Sequence, residues 1–211
     1  MRHFTKGESP KKFEDWKSSK GRAAKYNNIP AHIKEELRES LSKEQSNLCC
    51  YCGISLKDDN IHIEHFKPQK HFPGQTVNYK NLHVSCMGKA FIPSDVEELD
   101  FCGHKKGNWY DKDLLVSPLD PDCESYFLFS FDGSVTDNEN CAAKETIEKL
   151  HLDKYLLRDQ REKAIEGILD TLDLSNTLDI EECISFLETP DDKGNLSSFS
   201  YVIAGLLKTL V

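Results

Sequence analysis

The feature that most constrains this chain is the spacing of four of its eight cysteines: Cys49-x-x-Cys52, then Cys86, then Cys102. A Cys-x-x-Cys knuckle offers two thiolates to a tetrahedral zinc ion, and a second pair must close the site. Cys86 and Cys102 are the natural second pair, held apart by an acidic insertion over residues 87–101. Zinc there would staple a segment with little core of its own. Cys50 lies inside the knuckle and competes with Cys49 for the first ligand position. Cys123, Cys141 and Cys183 stand alone and read as structurally buried thiols. A disulfide framework would suit a secreted chain, but the opening MRHFTKGESPKKFEDW is charged and has no apolar signal segment. The most apolar stretch, from Phe199 to Val211, is shorter than the roughly 20 residues a membrane-spanning helix needs. The expectation is a soluble cytoplasmic protein with no membrane association.

Charge divides the chain. Its formal net charge is −9, yet residues 1–44 hold 11 Lys and Arg against 7 Asp and Glu, whereas 113–211 hold 8 against 21. Contact with a phosphate backbone is easiest to place on the basic first part and the balanced centre. The acidic last part would repel a duplex and suits packing, regulation or a protein partner. Residues 1–29 form a basic arm rich in Lys, Ser, Gly and Asn, expected to be extended or only partly ordered. Its Lys11, Lys12, Lys17, Lys20 and Arg22 could track a nucleic acid or form a solvated tail. Ile33, Leu37 and Leu41 mark an amphipathic helix leading into the knuckle. Residues 61–65 and 81–86 read as strands, and 102–108 as a short helix opening. Beyond 116 come a hairpin turning at Asp132-Gly133, then helices marked by Ile165, Ile168, Leu169 and Leu172, by Ile180, Cys183, Ile184 and Leu187, and by Phe199, Val202, Ile203, Leu206, Leu207 and Leu210.

Between the cysteines lies a set suited to phosphodiester hydrolysis: Glu64-His65-x-x-Pro68, Asn81-Leu82, and His104 with Lys106. That reaction needs an activated water, an electrophile for the phosphate oxygens and help for the leaving oxygen. A hard cation such as Mg²⁺ or Mn²⁺ meets the last two needs, and a neutral imidazole meets the first. Neighbouring strand side chains face opposite ways, so Glu64 and His65 reach one site only where the strand ends, as the turn at Pro68 suggests. His62 and His83 read as strand residues near the site, His71 as a loop residue, and His3, His32 and His151 as surface residues.

The whole order resembles the four-cysteine HNH nucleases. The resemblance implies an α+β fold: a ββα-metal core over residues 30–115 stapled by a four-cysteine zinc site, with a helix before it and a mainly helical region over 116–211. It implies that His65 activates water and that Asn81 holds the imidazole, by a direct hydrogen bond or through its backbone carbonyl. Glu64 stands where the family usually has a metal-binding Asp. The family places Asn or His directly after the last cysteine, and here that residue is Gly103. His104 is then the expected second ligand of the catalytic cation, with Asn108 the fallback, while Lys67, Lys105 and Lys106 are expected at phosphate.

Further cues over roughly residues 30–165 resemble PtuB-type HNH nucleases of Septu and retron-associated anti-phage systems. They are the Glu-His-Phe-x-Pro form of the motif, Cys102-Gly-His-Lys-Lys-Gly107, Ser117-Pro-Leu-Asp-Pro121, Phe129 to Gly133, and the helix carrying Arg158 and Arg161. This resemblance implies a PtuA-like ATPase of the ABC/SMC type as partner, and in retron versions a reverse transcriptase with its RNA–DNA product. No phosphate-binding Gly-rich loop occurs in the chain, so ATP dependence would come from such a partner. Two other readings compete. A zinc-stapled nucleic-acid-binding module would leave Glu64, His65, Asn81 and His104 superfluous. A free-standing restriction-type nuclease would want a basic recognition domain, the opposite of residues 113–211.

Overall fold

A computed structural model describes residues 1–57, 60–88 and 100–211. Most of the acidic insertion, 89–99, lies outside the described residues. Two antiparallel strands form the centre, β1 (His62–His65) and β2 (Leu82–Ser85), in a register that pairs His62 with Ser85 and His65 with Leu82. Helix α1 (Lys11–Lys20) and helix α2 (Ala31–Glu44) precede them, and a short helix α3 (Cys102–Lys106) follows. Strands β1 and β2 with α3 make up the expected ββα unit.

The periodic residues of α2 explain where it sits. Ile33, Leu37 and Leu41 fall on one face and are all buried. At its end the buried Gln45 amide donates to Leu48 O and Val84 O, and its carbonyl accepts from Val84 N. The side chain thereby caps an unpaired stretch of β2 and ties the knuckle to the strands. The knuckle itself is closed by Cys49 N donating to Ile54 O and by Gly53 N donating to Cys49 O.

The first 29 residues are not the loose arm expected from composition. Phe13 and Trp16, three apart on α1, are 0% and 6% exposed, and Met1 is buried as well. Lys6 lies over the Tyr79 ring and donates to Glu44 and to Leu82 O. Two well-placed aromatics outweigh a polar average here, because each buries enough apolar surface to offset ordering of the chain around it. Of the basic residues, Lys12 pairs with Glu36 and Lys17 with Glu14.

The acidic region begins with a hairpin of β3 (Phe127–Phe129) and β4 (Val135–Asp137), turning at Gly133. Helices α4 (Cys141–Lys149), α5 (Tyr155–Leu169), α6 (Thr177–Glu188) and α7 (Ser200–Leu207) follow. The Asn140 and Asn176 side chains cap α4 and α6 by accepting from Ala143 N and Leu178 N. A second apolar core gathers Ile165, Ile180, Ile184, Leu187, Phe199 and Val202, with Ile54 and Phe129 bordering both cores.

This region is pressed against the knuckle. Phe199 N donates to Gly53 O, Leu196 N to Ser46 O and Ser55 N to Ser198 Oγ. Gly53 has φ +80°, and a Cβ there would lie 2.4 Å from the Tyr201 ring, so only glycine fits. Phe199 accepts a left-handed backbone, φ 59°, to bury its ring at the start of α7. Among the described residues, no helix is long and apolar enough to cross a membrane.

Candidate active site and metal centre

The four cysteines come together. Among the described residues, Cys49, Cys52, Cys86 and Cys102 are the one group of metal-ligating side chains whose donor atoms all lie within 4.8 Å of one another, and all four are buried. Cys52 and Cys86 Sγ are 3.8 Å apart. A tetrahedral ion with Zn–S bonds of about 2.3 Å has S···S edges of about 3.8 Å, so the pocket could hold zinc. Cys50 is outside the group; its backbone N–H is committed to Val84 O. Burial raises the Cys102 thiol well above its ordinary pKa, and the neighbouring Cys49 and Cys52 add to the shift. Burial works the same way on Cys49, but hydrogen bonds from Cys102 and the other thiols outweigh it and favour its thiolate. Four buried sulfurs packed this closely form a donor set suited to a cation such as zinc. Ser85 Oγ, 3.5 Å from Cys49 Sγ, also accepts from Gly103 N, linking the pocket to the start of α3. Cys102 itself has φ 55°, an unusual conformation for a non-glycine, with its N–H bonded to Leu150 O.

Glu64 and His65 stand at the end of β1, as the turn at Pro68 suggested, but their surroundings differ. Glu64 faces α3. Its Oε1 is 2.8 Å from Lys106 Nζ and accepts from the Tyr51 hydroxyl at 3.1 Å, while its Oε2 is 3.4 Å from His62 Nε2. Burial alone would raise its pKa, but His62 and Lys106 together hold the carboxylate below the ordinary range. His65 packs edge-on against the Tyr26 ring at 4.5 Å, and its Nε2 is 3.0 Å from Thr76 O. A carbonyl can only accept, so Nε2 carries the proton and the lone pair of the neutral ring is on Nδ1. Burial lowers the His65 pKa, against the opposing pull of the Thr76 carbonyl and Glu64. The ring is thus held neutral, with a defined basic nitrogen.

The partner of that imidazole is Thr76, not Asn81. Asn81 instead clamps the loop that carries Thr76: its Oδ1 accepts from Lys67 N, and its Nδ2 donates to Lys67 O and Gln75 O. Its own carbonyl accepts from Phe66 N. Asn81 therefore braces the loop whose Thr76 carbonyl meets His65.

No family model matches the chain. Curated relatives do. The chain is 28% identical over 174 residues to a protein of Vibrio cholerae serotype O1 biovar El Tor described as a candidate HNH endonuclease of retron Vc95, covering 76% of this chain and 80% of that one. It is 26% identical to the corresponding candidate HNH endonuclease of retron Ec83 from Escherichia coli, over 62% of this chain and 65% of the relative. With the Septu protein PtuB of Bacillus thuringiensis the identity is 23%, over 73% of this chain but 55% of that longer protein. Over most of its length the chain is thus similar to HNH endonucleases of retrons and to Septu PtuB, which supports an HNH-type nuclease.

Within that HNH frame, the third element departs most from expectation. Gly103 occupies the place of the family's Asn or His. A Cβ there would lie 2.7 Å from Glu64 Oε2 and 2.9 Å from His62 Nε2. His104 is one residue on, about 100° around the helix, and its ring meets His62 edge-on at 4.9 Å. Lys106 is 2% exposed, with Nζ also donating to His65 O at 3.1 Å, so it is not at the surface where a phosphate contact was expected. Its long side chain turns inward because the buried Glu64 needs a counter-charge. Lys105 and Asn108 are exposed, and Lys67 Nζ is 5.8 Å from the Tyr110 ring.

His83 is fully buried between the edges of Phe4 and Phe66, and burial pushes its pKa down to about 3. Cys123 is buried as expected, but Cys141 is exposed at the start of α4 and Cys183 is half-buried. His32 is exposed, while His3 and His151 are half-buried, the latter with Nδ1 3.1 Å from Asp100 O. Sequence reasoning missed Thr76, Tyr51 and Tyr26. Each meets Glu64 or His65 through a backbone carbonyl, a hydroxyl or a ring edge brought close only by folding.

Proposed function

We propose that this chain is a metal-dependent endonuclease that hydrolyses nucleic-acid phosphodiester bonds, with His65 as general base. The observation that carries this reading is the His65 Nε2–Thr76 O hydrogen bond, which leaves Nδ1 as the proton acceptor on a ring kept neutral by burial. His65 Nδ1 takes the proton of a water molecule as the water oxygen attacks phosphorus and the bond to the leaving oxygen breaks. Glu64 would hold a divalent cation, Mg²⁺ or Mn²⁺, with His62 or His104 beside it; Asn108 is exposed and further along the chain. The residues fit such an ion, since Oε2 faces His62 while Oε1 is already balanced by Lys106 and Tyr51. When bound, the cation supplies positive charge to the phosphate and leaving oxygens. Zinc in the four-cysteine pocket is structural, fixing the start of α3 against β1. In this reading Lys105 and Lys67 would meet phosphate.

The retron and Septu relatives support a role as the toxic effector of a bacterial anti-phage complex. The partner in this reading is a PtuA-like ATPase of the ABC/SMC type, joined in retron versions by a reverse transcriptase and its RNA–DNA product. The acidic region 116–211 is the docking face, with Leu178 and Phe186 exposed on α6. Wild type and His65→Ala, each with the candidate ATPase, should be offered plasmid DNA and total cellular RNA with Mg²⁺ or Mn²⁺. Cleavage by wild type alone, with binding kept in both, supports the proposal. Equal cleavage removes His65 as the base, and no cleavage by either protein under any condition leaves a zinc-stapled binding module.

A further inference from the structure

We infer that His62 is a direct ligand of the catalytic divalent cation, taking the place of the side chain that Gly103 lacks. This inference rests on the nuclease reading and specifies its metal site.

His62 and Glu64 are two residues apart on β1, so their side chains leave the strand on one face. That face meets the first turn of α3, where the ββα arrangement expects the helix to contribute a ligand. The α3 residue aimed at Glu64 is Gly103, and glycine has nothing to contribute. The space is filled from the strand. His62 Nε2 sits 2.9 Å from where a Cβ of residue 103 would be, and 3.4 Å from Glu64 Oε2. A side chain at 103 would have to push the His62 ring or the Glu64 carboxylate aside.

The distance suits two neighbouring ligands of one ion. An octahedral cation with bonds of about 2.1 Å separates adjacent donor atoms by about 3.0 Å. At 3.4 Å, a slight closure of His62 and Glu64 would seat an ion between them. The remaining polar groups of the carboxylate are assigned, because Oε1 is taken by Lys106 and Tyr51. Only Oε2 is left to face a cation, and it faces His62. Of the two ring nitrogens of His62, Nε2 is the one 3.4 Å from Glu64 Oε2 and so the one presented to the site, while Nδ1 is buried. His104 then acts at one remove, its ring set edge-on against His62 and limiting its rotation.

The test uses the full chain with zinc in the cysteine pocket and Mn²⁺ as probe. Mn²⁺ affinity is read from the free-ion electron paramagnetic resonance signal, and bound imidazole from ¹⁴N modulation of the echo. Wild type should show directly bound nitrogen. His62→Ala should lose it and weaken Mn²⁺ at least ten-fold, while its zinc content stays unchanged as evidence of folding. His104→Ala should keep the nitrogen signal. The exchange His62→Ala with Gly103→Asn should recover affinity, because it returns a ligand to α3 and removes one of the two side chains that crowd position 103. Nitrogen that survives His62→Ala, or that vanishes in His104→Ala, overturns the inference while leaving the nuclease reading standing. Wild type that binds no Mn²⁺ overturns both the inference and the cation in the proposed function.

Discussion

Replacing Lys106 by Met separates the two roles this residue could have. Were it a phosphate contact, the change would leave stability within about 0.5 kcal/mol and weaken nucleic-acid binding uniformly. The structure predicts otherwise, since the Lys106 and Glu64 side chains are 1% and 9% exposed and 2.8 Å apart. Without the ammonium, Glu64 is an uncompensated buried carboxylate. It can escape by taking up a proton, which at pH 7 costs about 3.7 kcal/mol for a group with an ordinary pKa of about 4.3. The lost bond to His65 O adds about 1 kcal/mol, and the sum agrees with the ~3–5 kcal/mol typical of breaking a buried pair. Urea unfolding at constant zinc and without divalent cation reads this loss. The sign with pH follows: stranding Glu64 raises its folded pKa, so the penalty is largest at high pH and shrinks to about 1–2 kcal/mol at pH 5. Glu64→Gln with Lys106→Met should recover most of the loss. A loss below about 1 kcal/mol at pH 7, or one independent of pH, would refute the ion-pair account.

Three further outcomes can be checked. His83, with its pKa lowered to about 3, binds a proton in the unfolded chain before the folded one. Stability is therefore lost as pH falls from about 6.5 toward 3, with about 2 kcal/mol gone by pH 5; His83→Leu should flatten this slope in unfolding titrations, whereas the Glu64 contribution, its folded pKa being lowered, is lost only as pH falls from about 4.3 downward. Asn81→Ala removes the loop clamp, so cleavage should fall on the order of 10²-fold through displacement of Thr76 and His65, with hydrogen exchange rising over residues 67–76. Cys86→Ser should lose bound zinc by elemental analysis and unfold the core, since such an ion contributes about 10–16 kcal/mol, but Cys50→Ser should keep it.

Much of this was legible in the sequence, for physical reasons particular to each part. Cysteine spacing revealed the pocket because metal geometry admits few arrangements, and Ile33, Leu37 and Leu41 revealed α2 because burial follows its period. Composition misjudged residues 1–29, where two rings, Phe13 and Trp16, decide the matter against a polar average. The strand end at His65 followed from the turn at Pro68. What could not be read was which groups the fold brings to Glu64 and His65. Thr76 contributes a carbonyl that any residue would carry, and Lys106 looked like a surface lysine until its position placed it against a buried carboxylate. Gly103 could be seen as a missing ligand, but not that His62 stands in its space.

The account rests on His65 as a neutral base, and the pH dependence of cleavage tests this most directly. With the substrate identified by the first assay, kcat/KM for wild type should fall as pH drops through a midpoint below about 6.5, because burial lowers the His65 pKa and the protonated ring cannot accept from water. His65→Ala should retain only residual cleavage without that acid limb. The same limb at comparable rate in His65→Ala would contradict the account.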